Sequence, residues 1–147
     1  MFKSMTRALR IVAAGAGLLG ASNPAARHHY TAGQVWEYRT RPGDEGSLLK
    51  IQQVEADPPL AKRGPIYHIS VIGFHLSNPQ VVSILPHAPV SQQTLDASVI
   101  RLATTSAAFP DAAPGIDEWR QAKGGVFTIP VAEIIDILDQ RTRSTDQ

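Results

Sequence analysis

The segment IYHISVIGFHL, residues Ile66–Leu76, carries the strongest strand signal in this chain. Its β-branched and aromatic residues favour a strand, and apolar residues fall on both of its faces. A strand with two apolar faces is expected in the interior of a sheet. Gly73 indicates a bend near the end of this strand.

The segment Gly33–Thr40 alternates between apolar and polar residues, which is the pattern of a half-buried strand. Trp36 and Tyr38 share one face, and we expect Trp36 to be a core residue facing the last helix. A turn follows at Arg41–Gly46, where proline fixes one φ angle and glycine permits a positive one. The first strand is therefore expected to open a β-hairpin.

The return strand of this hairpin is predicted at Ser47–Glu55. Leu49 and Ile51 are in phase on one face, but Val54 is one residue out of phase. A bulge near Gln52 would return Val54 to the apolar face. Prolines then make residues 57–65 a loop.

Helical spacing appears after a possible short strand at Val81–Leu85. Ser91 is placed to cap a helix whose buried stripe would be Leu95, Val99 and Leu102. These residues follow the i, i+4, i+7 spacing of one helical face.

Two more helices are predicted toward the C-terminus. The first is Ile116–Lys123, which the glycines after it would stop. A short strand is expected at Val126–Ile129. Pro130 then suits the first position of a helix that runs through residue 140. The apolar face of this last helix is Val131, Ile134, Ile135 and Leu138.

Strands come first along the chain and helices come later. This order predicts an α+β fold, with a small antiparallel sheet of three to five strands that starts from the N-terminal hairpin. The C-terminal helices are expected to pack on one side of the sheet. The length of 147 residues suits one domain, which we place at residues 33–140.

The first 22 residues have the pattern of a secretory signal peptide. Basic residues are followed by the apolar run IVAAGAGLLGA, which is too short to span a membrane, and by small residues before the expected cleavage site. Residues 23–32 would form a flexible lead-in and residues 141–147 a frayed tail. The protein would be periplasmic or secreted, or cytoplasmic if the leader is a mis-assigned start.

Composition excludes several classes of protein. The chain has no cysteine, so disulfides, thiolate metal sites and thiol nucleophiles are excluded. Its net charge is +1, but three of the fourteen basic residues and none of the thirteen acidic ones lie in residues 1–22. The remaining domain would be mildly acidic, so it has no general attraction for nucleic acid or anionic lipid.

Motifs for catalysis, cofactors and metals do not stand out in the sequence. His68 and His75 are seven residues apart on one strand, so they point to opposite faces unless a bulge intervenes. Ser70 shares a face with His68, but no orienting acid or oxyanion glycine accompanies them. We therefore assign no catalytic residue, no cofactor and no metal site.

The turn of the hairpin is the most unusual segment, because two arginines and two acids surround Pro-Gly. One interpretation is a solvated turn with arginine–acid pairs of small energetic value. The other is a contact loop on a rigid scaffold, formed by Arg39, Arg41, Asp44 and Glu45.

Two blocks of the chain resemble an uncharacterised family of small bacterial proteins: GQVWEYRTRPGDEGS at residues 33–47, and EW at 118–119 with GGVFTIPVAEI at 124–134. The resemblance implies no assigned activity, and no functional residue is carried over from it. Members of that family often begin close to the first block, so the leader of this chain departs from the family pattern.

Three functions are compatible with these features. The first is a non-enzymatic binding or accessory protein of the bacterial envelope, with a protein partner. The second is an immunity-type protein that neutralises a toxin by occlusion. The third is an enzyme with an unrecognised site.

Overall fold

The computed structural model of this protein describes residues 28–144, so the predicted signal peptide lies outside the described residues. Five strands and three helices occupy this range. In chain order they are β1 (Val35–Tyr38), β2 (Leu48–Glu55), β3 (Ile66–Ile72), β4 (Ile84–Ser91), α1 (Gln92–Ser98), β5 (Val99–Leu102), α2 (Ala113–Ala122) and α3 (Val131–Ser144).

The strands form one sheet in the order β4-β3-β2-β1-β5, and every pair of neighbours is antiparallel. The predicted α+β class and the N-terminal hairpin are therefore confirmed. The register of β2 against β3 shifts between Ile51 and Gln53, which is the bulge expected near Gln52. Gly73, after β3, has a φ of 84°, so the predicted bend is present.

One face of the sheet carries the main core. Trp36 is 3% exposed and belongs to the same buried cluster as Val131, Ile134 and Ile135 of α3. The core position predicted for Trp36 is confirmed. Tyr30 also belongs to this cluster, so the packed domain begins before residue 33.

The opposite face of the sheet is covered by α2. Alternation along β3 turns His68 and Ser70 to this face, and both are fully buried. The Trp119 ring of α2 stands edge-on to His68, with ring centroids 4.8 Å apart. This second layer explains why β3 is buried on both faces.

The helix predicted after Ser91 is shorter than expected. Ser91 does cap α1, since its side chain accepts a hydrogen bond from Thr94 N. However, the prediction that Leu95, Val99 and Leu102 form one buried helical face is wrong, because the helix ends at Ser98 and the next four residues form β5. The Ser98 hydroxyl donates to Thr94 O at 2.6 Å and accepts from Val131 N at 3.0 Å. Ser98 thus joins the end of α1 to the start of α3.

Other boundaries also differ from the prediction, and α2 begins at Ala113, not at the predicted Ile116. The strand expected at 81–85 is β4, which runs on to Ser91 through two prolines that an edge strand tolerates. Residues 126–129 make only an isolated bridge, from Phe127 to Val90. The last helix, predicted to run through residue 140, continues to Ser144. Arg141 and Arg143 lie in its last turn, where basic side chains suit the helix dipole.

Within residues 28–144, no helix has both the length and the apolar character needed to cross a membrane.

Candidate functional site

Arg41, one of the predicted contact residues, is the centre of an intramolecular hydrogen-bond network. Its Nε donates to Asp44 Oδ2 at 2.8 Å, and Nη2 donates to the carbonyl of His75 at 2.7 Å. Nη1 donates to Asp139 Oδ2 at 3.1 Å, and Asp136 Oδ1 lies 3.4 Å from the same nitrogen. The guanidinium therefore ties the hairpin turn to α3 and to the segment after β3.

The carboxylates of this network are themselves held in place. Asp44 is only 2% exposed and accepts a hydrogen bond from His75 N at 2.9 Å. Asp139 accepts from Ser77 N at 2.8 Å. The Ser77 N–H lowers the pKa of Asp139, and the hydrogen bond from Arg41 acts in the same direction although burial opposes both. Arg41 and Asp44 thus have structural roles.

The other two predicted contact residues are exposed and lie apart from this network. Glu45 accepts hydrogen bonds from Gly43 N within the turn. The Arg39 side chain extends toward the end of α1 and the start of β5, where its Nη1 lies 3.3 Å from Ala97 O and 3.4 Å from Val99 O. The structure therefore places Arg39 beside the start of β5, which the sequence did not predict as a strand.

Strand β5 forms one edge of the sheet, and its outer side is unpaired within the described residues. The inner side bonds to β1, as in the 2.8 Å hydrogen bond from Ala103 N to Val35 O. Ile100 and Leu102 are 42% and 56% exposed. Two large apolar side chains therefore stand on a strand that retains free backbone donors and acceptors.

The opposite edge, β4, is protected. Pro86 and Pro89 lie within the strand and have no N–H to offer. Residue 127 covers the end of the strand, because Ser91 N donates to Phe127 O and Phe127 N donates to Pro89 O, both at 2.9 Å. Prolines and covering segments are devices that prevent an edge from pairing with another chain. The β5 edge has neither device in residues 28–144, although it is only four residues long and its register against β1 shifts between Arg101 and Val99.

A pair of histidines lies under α2, in which His68 is fully buried and His87 is half-buried. His68 Nδ1 is 2.8 Å from His87 Nε2, so one ring donates and the other accepts. His68 Nε2 lies 3.5 Å from Glu55 Oε1, but it is buried and makes no hydrogen bond within the described range. Glu55 is instead paired with Arg120 of α2.

Burial controls the protonation of these histidines. Desolvation lowers the pKa of His68 to about 4, and the neighbouring His87 acts in the same direction against the opposing effect of Glu55. Burial also lowers the pKa of His87. Both rings are therefore neutral at pH 7, and the histidine pair is a polar contact between two neutral groups.

The pair does not form a recognisable catalytic or metal site. Ser70 Oγ donates to the carbonyl of Pro86 at 2.6 Å, so this hydroxyl is not directed at His68. Across residues 28–144, no group of three histidine or acidic side chains is arranged to hold a metal ion.

The described residues form a small α+β domain in which the β4 edge of the sheet is protected and the β5 edge is unpaired. Comparison of the chain with protein-family models, curated proteins and solved structures finds no match in any of the three. The resemblance carried by residues 33–47 and 118–134 stays a prediction.

Proposed function

We propose that this chain is a non-enzymatic binding protein of the bacterial envelope that receives an extended strand of a partner protein along the open edge of β5. The observation that supports this proposal is the exposure of Ile100 and Leu102 on a strand with free backbone groups. The envelope location rests on the leader pattern of residues 1–22.

A partner strand that pairs with β5 would make two kinds of contact. Backbone hydrogen bonds to β5 would supply affinity for any extended segment, and side chains of alternate residues would supply specificity. Ile100 and Leu102 favour a partner strand with apolar residues at alternate positions. Exposed apolar residues on an unpaired edge are a liability unless another chain covers them.

Arg39 adds an electrostatic preference at one end of the edge. It lies beside Val99 and makes no salt bridge within the described part of the chain, whereas Arg101 is already paired with Glu37. Its planar guanidinium suits a carboxylate. The proposed partner segment is therefore an apolar strand with an acidic residue near Arg39. This proposal retains one residue of the predicted contact loop.

Site-directed photo-crosslinking tests this function. The full-length chain would carry a photoreactive residue at position 102 in a bacterial host, with position 82 as the matched control. Val82 is 72% exposed and lies outside β5, so it reports on non-specific apolar contacts. We expect position 102 to crosslink one partner protein, at an extended segment of that partner, and position 82 not to do so.

Substitutions at the same edge complete the test. With the photoreactive residue moved to position 100, Leu102→Lys should abolish the crosslink to the partner, while Val82→Lys should leave it unchanged. Both variants should keep the free energy of unfolding within about 0.5 kcal/mol of wild type, because they change exposed side chains. Crosslinks only to residues 1–27, only to a second copy, or to no protein would overturn the proposal.

A further inference from the structure

A concave surface, separate from the β5 edge, lies at the end of the sheet away from the hairpin turn. It is a groove of about 650 Å³ between the loop before β3 and the start of α1. This volume is in the range of ligand-binding clefts. The residues that define its chemistry are Lys62, Arg63, Gln92, Gln93, Val126 and Thr128.

The charge of the groove differs from that of the domain. Lys62 and Arg63 stand at its rim, and neither makes a salt bridge within residues 28–144. No carboxylate of the described residues lines the groove. Cations without partners on a mildly acidic domain create a local positive field that favours an anionic ligand.

The loop that carries these cations is anchored. Ala61 is 7% exposed, its N–H donates to Asp57 O at 3.1 Å, and Gly64 N donates to Ala61 O at 3.3 Å. An anchored loop loses less conformational entropy when a ligand binds. The backbone that carries the two cations is thus held by the fold.

The opposite wall offers backbone groups to an extended chain. Phe127 uses its N–H and C=O to bond to β4, and the backbones of Val126 and Thr128 make no backbone hydrogen bond within the described residues. Both residues line the groove, beside the amide side chains of Gln92 and Gln93. This wall therefore combines donors and acceptors that match a peptide backbone.

We infer that this groove binds a short acidic peptide segment, with its carboxylates at Lys62 and Arg63 and its backbone along Val126–Thr128. This site is separate from the β5 edge, and its ligand need not belong to the partner bound there. The inference rests on the unpaired cations, the acid-free lining and the open backbone wall.

Titration followed by nuclear magnetic resonance tests the inference on the full-length chain. The probes are a short peptide of alternating glutamate and valine, its counterpart with glutamine in place of glutamate, and inorganic phosphate. We expect the acidic peptide to shift the side-chain amide signals of Gln92 and Gln93 and the backbone amides of Val126 and Thr128. The glutamine peptide should leave them unchanged.

Charge reversal identifies the cations responsible. Lys62→Glu with Arg63→Glu should weaken peptide binding by at least about tenfold, whereas Arg141→Glu with Arg143→Glu, at exposed positions on α3, should have little effect. Leu102→Lys should also leave this binding unchanged, so failure here is distinct from failure at the β5 edge. Equal weakening by both double variants, equal binding of the two peptides, or shifts that phosphate reproduces in full would overturn the inference.

Discussion

Arg41 shows how a residue that resembles a surface contact can be part of the structure. Its side chain is 17% exposed, and it reaches Asp44, which is nearly buried, as well as two carboxylates of α3. The sequence places Arg41 and Asp44 three residues apart in a turn, which fits either a solvated pair or a binding loop. The network is visible only when α3, almost a hundred residues later, is brought beside the turn.

Removal of either member of this pair should destabilise the domain. Arg41→Ala leaves Asp44 buried without its counter-charge, and Asp44→Ala removes the acceptor for His75 N. We expect each to lower the free energy of unfolding by about 2–3 kcal/mol. Chemical denaturation of both variants and of the double variant should also give a coupling energy above about 1 kcal/mol.

Glu45→Ala is the matched control, since Glu45 is an exposed acid of the same turn. It should change the free energy of unfolding by no more than about 0.5 kcal/mol. If Arg41→Ala and Asp44→Ala behaved like this control, the network would not contribute to stability and a role in binding would regain support.

At the scale of elements, α2 is attached to the sheet through a small set of contacts. Only Ile116 and Trp119 are buried along its length, and the polar contact is the pair formed by Arg120 and Glu55. Beneath them, His68 and His87 share one hydrogen bond. Protonation of both rings would remove that bond and place two adjacent cations beneath α2, with Arg120 close by.

Stability should therefore depend on pH through His68. Its pKa in the folded protein is about 4, below the usual value of about 6.5, so the unfolded chain binds more protons between these values. The free energy of unfolding should fall by about 3 kcal/mol as the pH drops from about 6.5 to about 4. His87 adds to the loss, because its pKa is shifted in the same direction.

Denaturation curves measured across this pH range for wild type, His68→Gln and His29→Gln would isolate the contribution. The His68 variant should be less sensitive to pH, while the exposed His29 serves as the control. Hydrogen exchange should show α2 opening first at acid pH. Identical pH profiles for all three proteins would rule out His68 as the source.

The strands whose apolar and polar residues clearly alternate were predicted correctly. The segment at residues 99–102, whose spacing also fits a helix, was not. The bulge near Gln52 and the core role of Trp36 follow from alternation on strands with one apolar face. Val99 and Leu102 satisfy helical spacing equally well, and only the pairing of β5 with β1 selects the strand. Long-range pairing overrides local periodicity, and no local pattern indicates it.

At the scale of the domain formed by residues 28–144, the sheet has unequal edges, and the sequence alone does not indicate this asymmetry. A strand is recognisable as an edge strand only when the order of the sheet is known. The prolines in β4 indicate an edge strand. The other edge strand, β5, lies within residues that the sequence predicts as helix. Of the predicted contact residues, only Arg39 lies near the surface that we propose for binding.

The proposed envelope location concerns the chain as a whole and depends on residues 1–22. We expect export to be followed by cleavage near Ser22, which leaves Asn23 or a close neighbour as the new N-terminus. N-terminal sequencing of the protein recovered from the envelope of a bacterial host would identify the site. Recovery of intact chains beginning at Met1 only in the cytosol would contradict both the cleavage and the location.

The position of β1 between β2 and β5 has a consequence for synthesis and folding. The hairpin of β1 and β2 is local, but Arg39 meets Val99 across 60 residues of sequence. Contacts of such long range form late, because a long loop must close before they are gained. Because the chain is made and exported from its N-terminus, β1 keeps one side unpaired until residues 99–102 are available. We therefore expect β5, the strand that we propose for partner binding, to join the sheet last.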